Sequence, residues 1–423
     1  MFNRSKRYNS PRNRSASALS SDNLSRRHRP DYLLIILATL LSVIGLVVVY
    51  AISPGLAASK NVDTNYFVTK QAISVILGFV AFAVFSYLSL RSLRHSKNIL
   101  IGLSGVGVIV VQFFGVQVNG AYRWIQIGGL SFQIAELIKF TIIVWTAAFL
   151  TEKLRRGEVE DFKKTLKPLL ILLLIVGIVV AKLESDLGST GVMVAMVAMM
   201  AFVAGLPLKR IGLIAGIVVL GTFLAISTSS YRRDRVVTFL NPTRDCQDAG
   251  YQACQALIAV GSGGVVGKGL GNSVQAYGYL PEPQNDSIFA ILAEKFGFLG
   301  VSVVIAVYLA LFSRLRRIIE RTADPFSRLF VVGVLAWFSI QTMINIGAMI
   351  GVFPLKGITL PFISYGGTSI LFVMAALGVV SQISRYTSFE PIRNSSTNKG
   401  NRHDNRSVRE RVGRTHYASS TGR

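Results

Sequence analysis

Histidine, cysteine and acidic residues are all scarce in this 423-residue chain, and each scarcity narrows what it can do. The four histidines, His28, His95, His403 and His416, stand away from the two cysteines, Cys246 and Cys254, so no Cys–His metal spacing exists. Asp and Glu number 21 against 45 Lys and Arg, for a formal net charge of +24. A P-loop is missing too. Gly267-Lys268 has Ser262 where the motif needs its first Gly, and Gly269 where it needs Ser or Thr. The first apolar run is of full span length with no small-residue cleavage pattern behind it, so no cleavable signal peptide is expected.

What the chain has in abundance is apolar sequence. Hydrophobic residues make up 51% of it and the mean hydropathy is +0.49. A bilayer core of ~30 Å takes about 20 apolar residues per helix. Runs meeting this fall near 32–52, 71–90, 98–116, 134–151, 168–182, 187–205, 211–229, 287–312, 328–350 and 363–384. The expected fold is an all-α polytopic membrane protein of about ten transmembrane helices. A large extracytoplasmic loop, 231–285, joins helices 7 and 8. Residues 32–386 form the membrane domain, and 1–31 and 387–423 are basic disordered tails.

Of the 45 basic residues, 33 fall in the segments that lie inside when the N-terminus is inside. The positive-inside rule then places both termini in the cytoplasm. The tails are rich in Ser, Asn and Arg, which suits anionic membrane lipids better than nucleic acid. All four histidines fall on the cytoplasmic side of this topology, so acid–base chemistry outside must use carboxylates.

Asp286 stands out among them. It ends the polar stretch from Tyr279 and abuts the apolar run Ser287 to Leu292, and a carboxylate at the mouth of a span marks a functional site by default. It can also cap the following helix. Glu136 and Lys139 are three apart at the start of a span, on one helical face. A polar cavity is favoured there over an ion pair that only locks packing. Asp186 reads as a helix N-cap, with Glu184 facing water. Arg123 beside Trp124 lies at the outer interface, against the orientation bias, and Arg can grip a phosphate bidentately.

Within loop 231–285, Gly250 to Val260 reads as a short amphipathic helix. Gly261 to Gly271 reads as a backbone-exposing turn. Its clustered N–H groups near Lys268 form either a phosphate nest or a plain connector. Cys246 and Cys254 share this loop, and their spacing permits a disulfide without demanding one.

Several blocks in order resemble the SEDS family (shape, elongation, division and sporulation), over about residues 32–386. They are Gly120 to Ile125, Gln133 to Lys139, Asp186-Leu187-Gly188, Gly250 to Gly271, Leu280 to Ala290, and Leu360 to Ser369, which contains Ser364. Asn345-Ile346-Gly347 followed by Pro354 to Pro361 looks more like the division branch than the elongation branch. The chain departs from the family pattern at Ile134-Ala135, at Ser287 and at Lys295, where a Pro-Ser pair, a Phe and a second Glu are usual.

The resemblance implies a peptidoglycan glycosyltransferase, polymerising lipid II at the outer face of the bacterial cytoplasmic membrane during division, at the septum. Its partners would be a single-pass class B penicillin-binding transpeptidase and other division proteins. Asp286 would be the general base on the acceptor hydroxyl, and undecaprenyl diphosphate would leave. Arg123, Lys139 and Lys268 would be the diphosphate-side cations, with Trp124, Glu136, Asp186 and Ser364 also binding substrate. No ligand cluster indicates a metal, although a divalent cation such as Mg or Mn is compatible with a diphosphate. The competing expectations are a lipid II flippase, or a non-catalytic scaffold of the division complex. An ion-coupled transporter fits less well, because no inverted repeat with paired broken helices is visible.

Overall fold

The computed structural model describes residues 29–387, apart from 119–120, 128–129, 185, 228–232, 234–236, 238, 240–245 and 249. The tail expectations lie almost wholly outside the described residues.

Eight helices among these residues are long and apolar enough to cross a membrane, so the chain is an integral membrane protein. The first is α1 (Tyr32–Lys60), started by Asp31, whose carboxylate accepts from the Leu33 N–H, and ended by Asn61 in the left-handed conformation. It is followed by α2 (Tyr66–Tyr87), the short α3 (Leu90–His95) and α4 (Lys97–Phe114). Next come α5 (Ile134–Arg156) and α6 (Lys167–Val176), the latter flanked by π-turns at Phe162–Leu166 and Gly177–Leu183. The shorter apolar helix α7 (Leu187–Val203) and α8 (Leu208–Ser227) fall on two further expected spans. The chain continues through α9 (Tyr251–Ser262), α10 (Ile288–Arg321), α11 (Pro325–Met349) and α12 (Gly367–Ser384). Cys246 and Cys254 are joined by a disulfide just before and within α9.

One segment departs from all-helical architecture. Residues 116–133 form a three-stranded antiparallel meander of β1 (Val116–Val118), β2 (Ala121–Ile127) and β3 (Leu130–Gln133), in which Trp124 pairs with Gln133 and Ile125 with Phe132. Alternation in Ala121 to Ile127 is the sequence trace of it.

The core centres on α5, which is buried on every side and therefore carries no polar face. Phe140 sits amid Phe85, Phe330 and Phe372. By contrast α4 buries only Ser104 and Val111, and leaves Ile99, Leu103 and Phe113 exposed where lipid would lie.

The glycine run resolves in favour of a connector. Helix α10 breaks at Gly297, whose φ of 63° and ψ of −165° are open to glycine alone. A break inside a span frees backbone groups that hydrocarbon cannot satisfy. Residues 264–269 satisfy them. The N–H groups of Lys268 and Gly269 donate to the carbonyls of Glu294 and Lys295 at 2.9 Å, and Phe298 and Leu299 donate to the carbonyls of Gly264 and Val265. A Cβ on Gly267 would lie 2.2 Å from the Lys295 carbonyl, so only glycine admits this approach. The N–H groups of Lys268 and Gly269, which a phosphate nest would have used, are thus spent on the broken helix.

Candidate functional site

The site is built from the ends of helices at one end of the bundle. A cavity of about 350 Å³ is bounded by Lys60 of α1, Lys70 and Ser74 of α2, and Arg123, Trp124 and Gln126 of β2. The lining is completed by the loop before α10, with Glu282, Asn285 and Asp286, and the segment before α12, with Gly357, Thr359 and Tyr365. Three cations and two carboxylates therefore line one space.

Asp286 does not start the helix: Ser287 is the residue at that position. Its backbone is held from several sides. The Asn345 amide donates to the Asp286 carbonyl and to the Ile358 carbonyl, both at 2.7 Å. The Ser364 hydroxyl donates to the Asn285 carbonyl at 2.6 Å, and the Tyr365 N–H to the Gln284 carbonyl at 2.8 Å. Ser287 donates to the Pro281 carbonyl. Ser364 is itself buried behind this loop, so it supports Asp286 rather than lining the cavity.

Arg123 is fixed through its Nε, which donates to the Glu184 carbonyl at 2.6 Å. Glu184 overturns an expectation. It is fully buried instead of facing water, because the π-turn that ends at Leu183 carries it inward, and among the described residues neither carboxylate oxygen has a hydrogen-bond partner. It lies past the end of the span Phe162–Ala181. Burial, with help from Asp186, pushes its carboxyl up to about 8, against the opposing pull of Arg123 and Lys139. Asp186 caps α7, accepting from the Ser189 N–H at 2.9 Å.

Glu136 and Lys139 lie outside the cavity wall. Lys139 Nζ is 2.7 Å from Glu136 Oε1 and donates to Gln341 Oε1 at 3.0 Å, and the pair is buried. The alternative of an ion pair within the packing is what the structure contains here, with one addition. Trp337 Nε1 also donates to Gln341 Oε1, while Gln341 Nε2 donates to the Thr359 carbonyl at 2.9 Å. Thr359 lines the cavity, so the buried pair is joined to its wall through one glutamine.

Lys268 is elsewhere. It pairs with Glu294 at 3.4 Å, and Glu294 also accepts from the N–H groups of Val274 and Gln275. Lys295, the departure from the family pattern, donates to the Leu270 carbonyl at 2.6 Å. Together they clamp residues 268–275 to α10.

The cavity thus unites Asp286, Arg123 and Trp124 and leaves Glu136, Lys139, Asp186, Lys268 and Ser364 outside its lining. Sequence reasoning missed Lys60, Lys70, Asn345 and Gln341. The signal for the two lysines was present, since they too are basic residues on the side where the orientation bias disfavours them. No signal marked Asn345 and Gln341 as tethers, because their partners are backbone carbonyls and a loop threonine distant in sequence. Among the described residues no three His, Cys, Asp or Glu gather. Glu282, whose Oε2 already accepts from the Gln284 and Asn285 amides, and Asp286 are the carboxylates at the cavity.

Fold and site define a class: a polytopic helical membrane protein with a cavity at one end that sets a carboxylate among cations. The sequence profile of the cell cycle protein family comprising FtsW, RodA and SpoVE matches residues 31–389, and the chain belongs to that family. It is 35% identical to the stage V sporulation protein E of Bacillus subtilis, over 86% of this chain and all of that one. It is 38% identical to the probable peptidoglycan glycosyltransferase FtsW of Nitrosomonas europaea, over 84% of this chain and 92% of that one. Among solved structures it resembles a chain of a peptidoglycan synthase complex that coordinates polymerisation and crosslinking. That match has a TM-score of 0.69 at 28% identity and covers 84% of this chain and 98% of that one. The rod shape determining protein RodA of Thermus thermophilus matches with a TM-score of 0.62 at 26% identity, covering 84% and 97%.

Proposed function

We propose that this protein is a peptidoglycan glycosyltransferase that polymerises lipid II, acting with a class B penicillin-binding transpeptidase at the division septum. The observation that carries the reading is the shared cavity of Asp286, Arg123, Lys60 and Lys70. Glycosyl transfer from a lipid diphosphate needs a base for the acceptor hydroxyl and positive charge for the departing diphosphate, and this cavity offers both. The relatives named for peptidoglycan glycosyltransfer support the substrate class, and the synthase complex supports a crosslinking partner.

In this mechanism the Asp286 carboxylate takes the proton of the acceptor sugar hydroxyl. The hydroxyl oxygen attacks the anomeric carbon of the donor chain, and the bond to undecaprenyl diphosphate breaks with the electron pair leaving on the diphosphate oxygen. Arg123, Lys60 and Lys70 stabilise that developing charge. Trp124 offers an apolar face to a sugar ring. A divalent cation accompanying the diphosphate would find Glu282 and Asp286 as its protein ligands and would neutralise charge there. Glu136, Lys139 and Asp186 act from behind the wall, and Lys268 through the clamp on α10. The positive-inside distribution supports a cytoplasmic location for both termini and an outer-face location for the cavity.

The test is polymerisation of lipid II by the purified protein in liposomes with its transpeptidase. Asp286→Asn should fold, bind its partner and lose about 10²–10⁴-fold in rate, the usual share of a general base. Wild-type turnover by this variant would remove Asp286 from the role. Lipid II crossing the bilayer while remaining monomeric would instead support the transport reading.

A further inference from the structure

A second cavity, of about 760 Å³, lies at the opposite end of the bundle, lined by Arg91 and Arg94 of α3, Lys97 and Asn98 of α4, Arg155 of α5, and Phe326 of α11. The two cavities are a bundle length apart. Helix α2 carries Lys70 at the Asp286 cavity in its second turn and ends at Tyr87 just before α3, about 26 Å further along its axis. Helices α5 and α11 cross the same distance, from Glu136 to Arg155 and from Asp324 to Asn345.

The cations of this cavity differ from their neighbours. Nearby on the same end, Arg156 pairs with Glu152, Lys153 and Lys164 with Glu158, Arg314 with Asp31 and Arg316 with Glu320. Arg91, Arg94, Lys97 and Arg155 have no carboxylate partner among the described residues. Asp324 is the one carboxylate on the rim, and it is engaged in capping α11 through the Ser327 N–H and hydroxyl. Four like charges from three helices converging on a concave surface repel one another unless an anion sits among them. Two turns of α4 beyond Lys97 carry Ile99 and Leu103, 71% and 53% exposed, an apolar track leading away from the cavity.

We propose that this cavity binds the phosphate headgroup of an anionic phospholipid, whose acyl chains lie along the exposed face of α4. The cations hold the phosphate by charge-assisted hydrogen bonds, with Arg able to do so bidentately. The adjoining apolar track favours a lipid over a free phosphate. A tailless anion gains nothing from Ile99 and Leu103. The cations named here belong to helices rather than to the basic tails, and the proposal is independent of the polymerase reading.

The test is lipid retention by the full-length protein, measured by native mass spectrometry from micelles containing phosphatidylglycerol or phosphatidylcholine. Wild type should retain phosphatidylglycerol selectively. Each cation near an anionic lipid surface contributes roughly fivefold, so Arg91→Gln/Arg94→Gln/Lys97→Gln should weaken retention about a hundredfold, and Arg155→Gln, alone on another helix, roughly fivefold. The single variant keeps the test decisive if the triple variant fails to fold. Equal retention of phosphatidylglycerol by Arg155→Gln and wild type, or no preference over phosphatidylcholine in wild type, would overturn the proposal. Displacement of the lipid by inorganic phosphate would assign the cavity to a soluble phosphate, and displacement by an acidic peptide to a protein partner. Either would overturn the lipid assignment.

Discussion

Asp286 gains its importance from its surroundings rather than from its charge alone. A carboxylate beside a span was visible in the sequence, and so was the outward placement of Arg123, but nothing in the sequence brought Lys60 and Lys70 into the same cavity. If these lysines hold the leaving diphosphate, Lys60→Gln and Lys70→Gln should each lower kcat/KM for lipid II by about 10–100-fold, the value of a charge-assisted hydrogen bond. Steady-state kinetics in liposomes would read this. Glu184 yields a prediction about pH. Its carboxyl ionises near 8 in the folded protein against an ordinary value of 4.5. Between those values the unfolded chain holds fewer protons than the folded one, so stability falls as pH rises from 4.5 to 8. Glu184→Gln should flatten that slope in thermal unfolding measured across this range, and should raise the melting temperature at the alkaline end.

Among the helices, the buried pair of α5 and the break in α10 are the two points where polar groups inside a span must find partners. Removing Lys139 alone, as in Lys139→Met, strands the Glu136 carboxylate in the core and should cost about 3–5 kcal/mol. The double variant Glu136→Gln/Lys139→Met should recover much of that loss. A double-mutant cycle on unfolding, read beside polymerisation rate, separates packing from the tether through Gln341 to Thr359, since recovery of stability without recovery of rate assigns the tether a positioning role. Gly297→Ala places a side chain at a φ of 63°, with its Cβ 2.3 Å from the Gly267 nitrogen. At a backbone cost of about 1–3 kcal/mol before the clash, this variant should accumulate poorly in membranes. Both features have partial sequence traces. The i, i+3 spacing of Glu136 and Lys139 was readable, whereas the partnership of Gly267 with Gly297 was not, because it joins two glycines thirty residues apart through backbone atoms only.

For the whole molecule, the two ends differ in chemistry. One gathers Asp286 with three cations in a small cavity, and the other displays the basic cavity of α3, α4 and α5 and, through the Asp31 N–H donating to Ser384 Oγ, brings the start of α1 to the end of α12. The chain therefore enters and leaves the bundle at the same end. With the native cysteines joined in a disulfide, single cysteines introduced at His95 and at Tyr279 should react with a membrane-impermeant maleimide from opposite sides. Labelling of Tyr279→Cys in intact cells, and of His95→Cys only after permeabilisation, is the expected pattern. The reverse pattern would place Asp286 on the cytoplasmic side and remove the substrate assigned to it.

The membrane class, the approximate spans, a helix over 250–260 and the family resemblance were all legible in the sequence, because hydropathy, periodicity and ordered motif blocks are local properties that survive without coordinates. It also singled out Asp286 and Arg123, since charges at span boundaries are costly and therefore conspicuous. Packing of the helices alone set which charges share a cavity. It turned Glu184 inward and spent the glycine run on a broken helix. It also took Lys268 out of the cavity, and joined Lys139 to the cavity wall through Gln341. Those outcomes depend on contacts between segments far apart in the chain, where a buried polar group must find whichever partner the packing brings within about 3 Å.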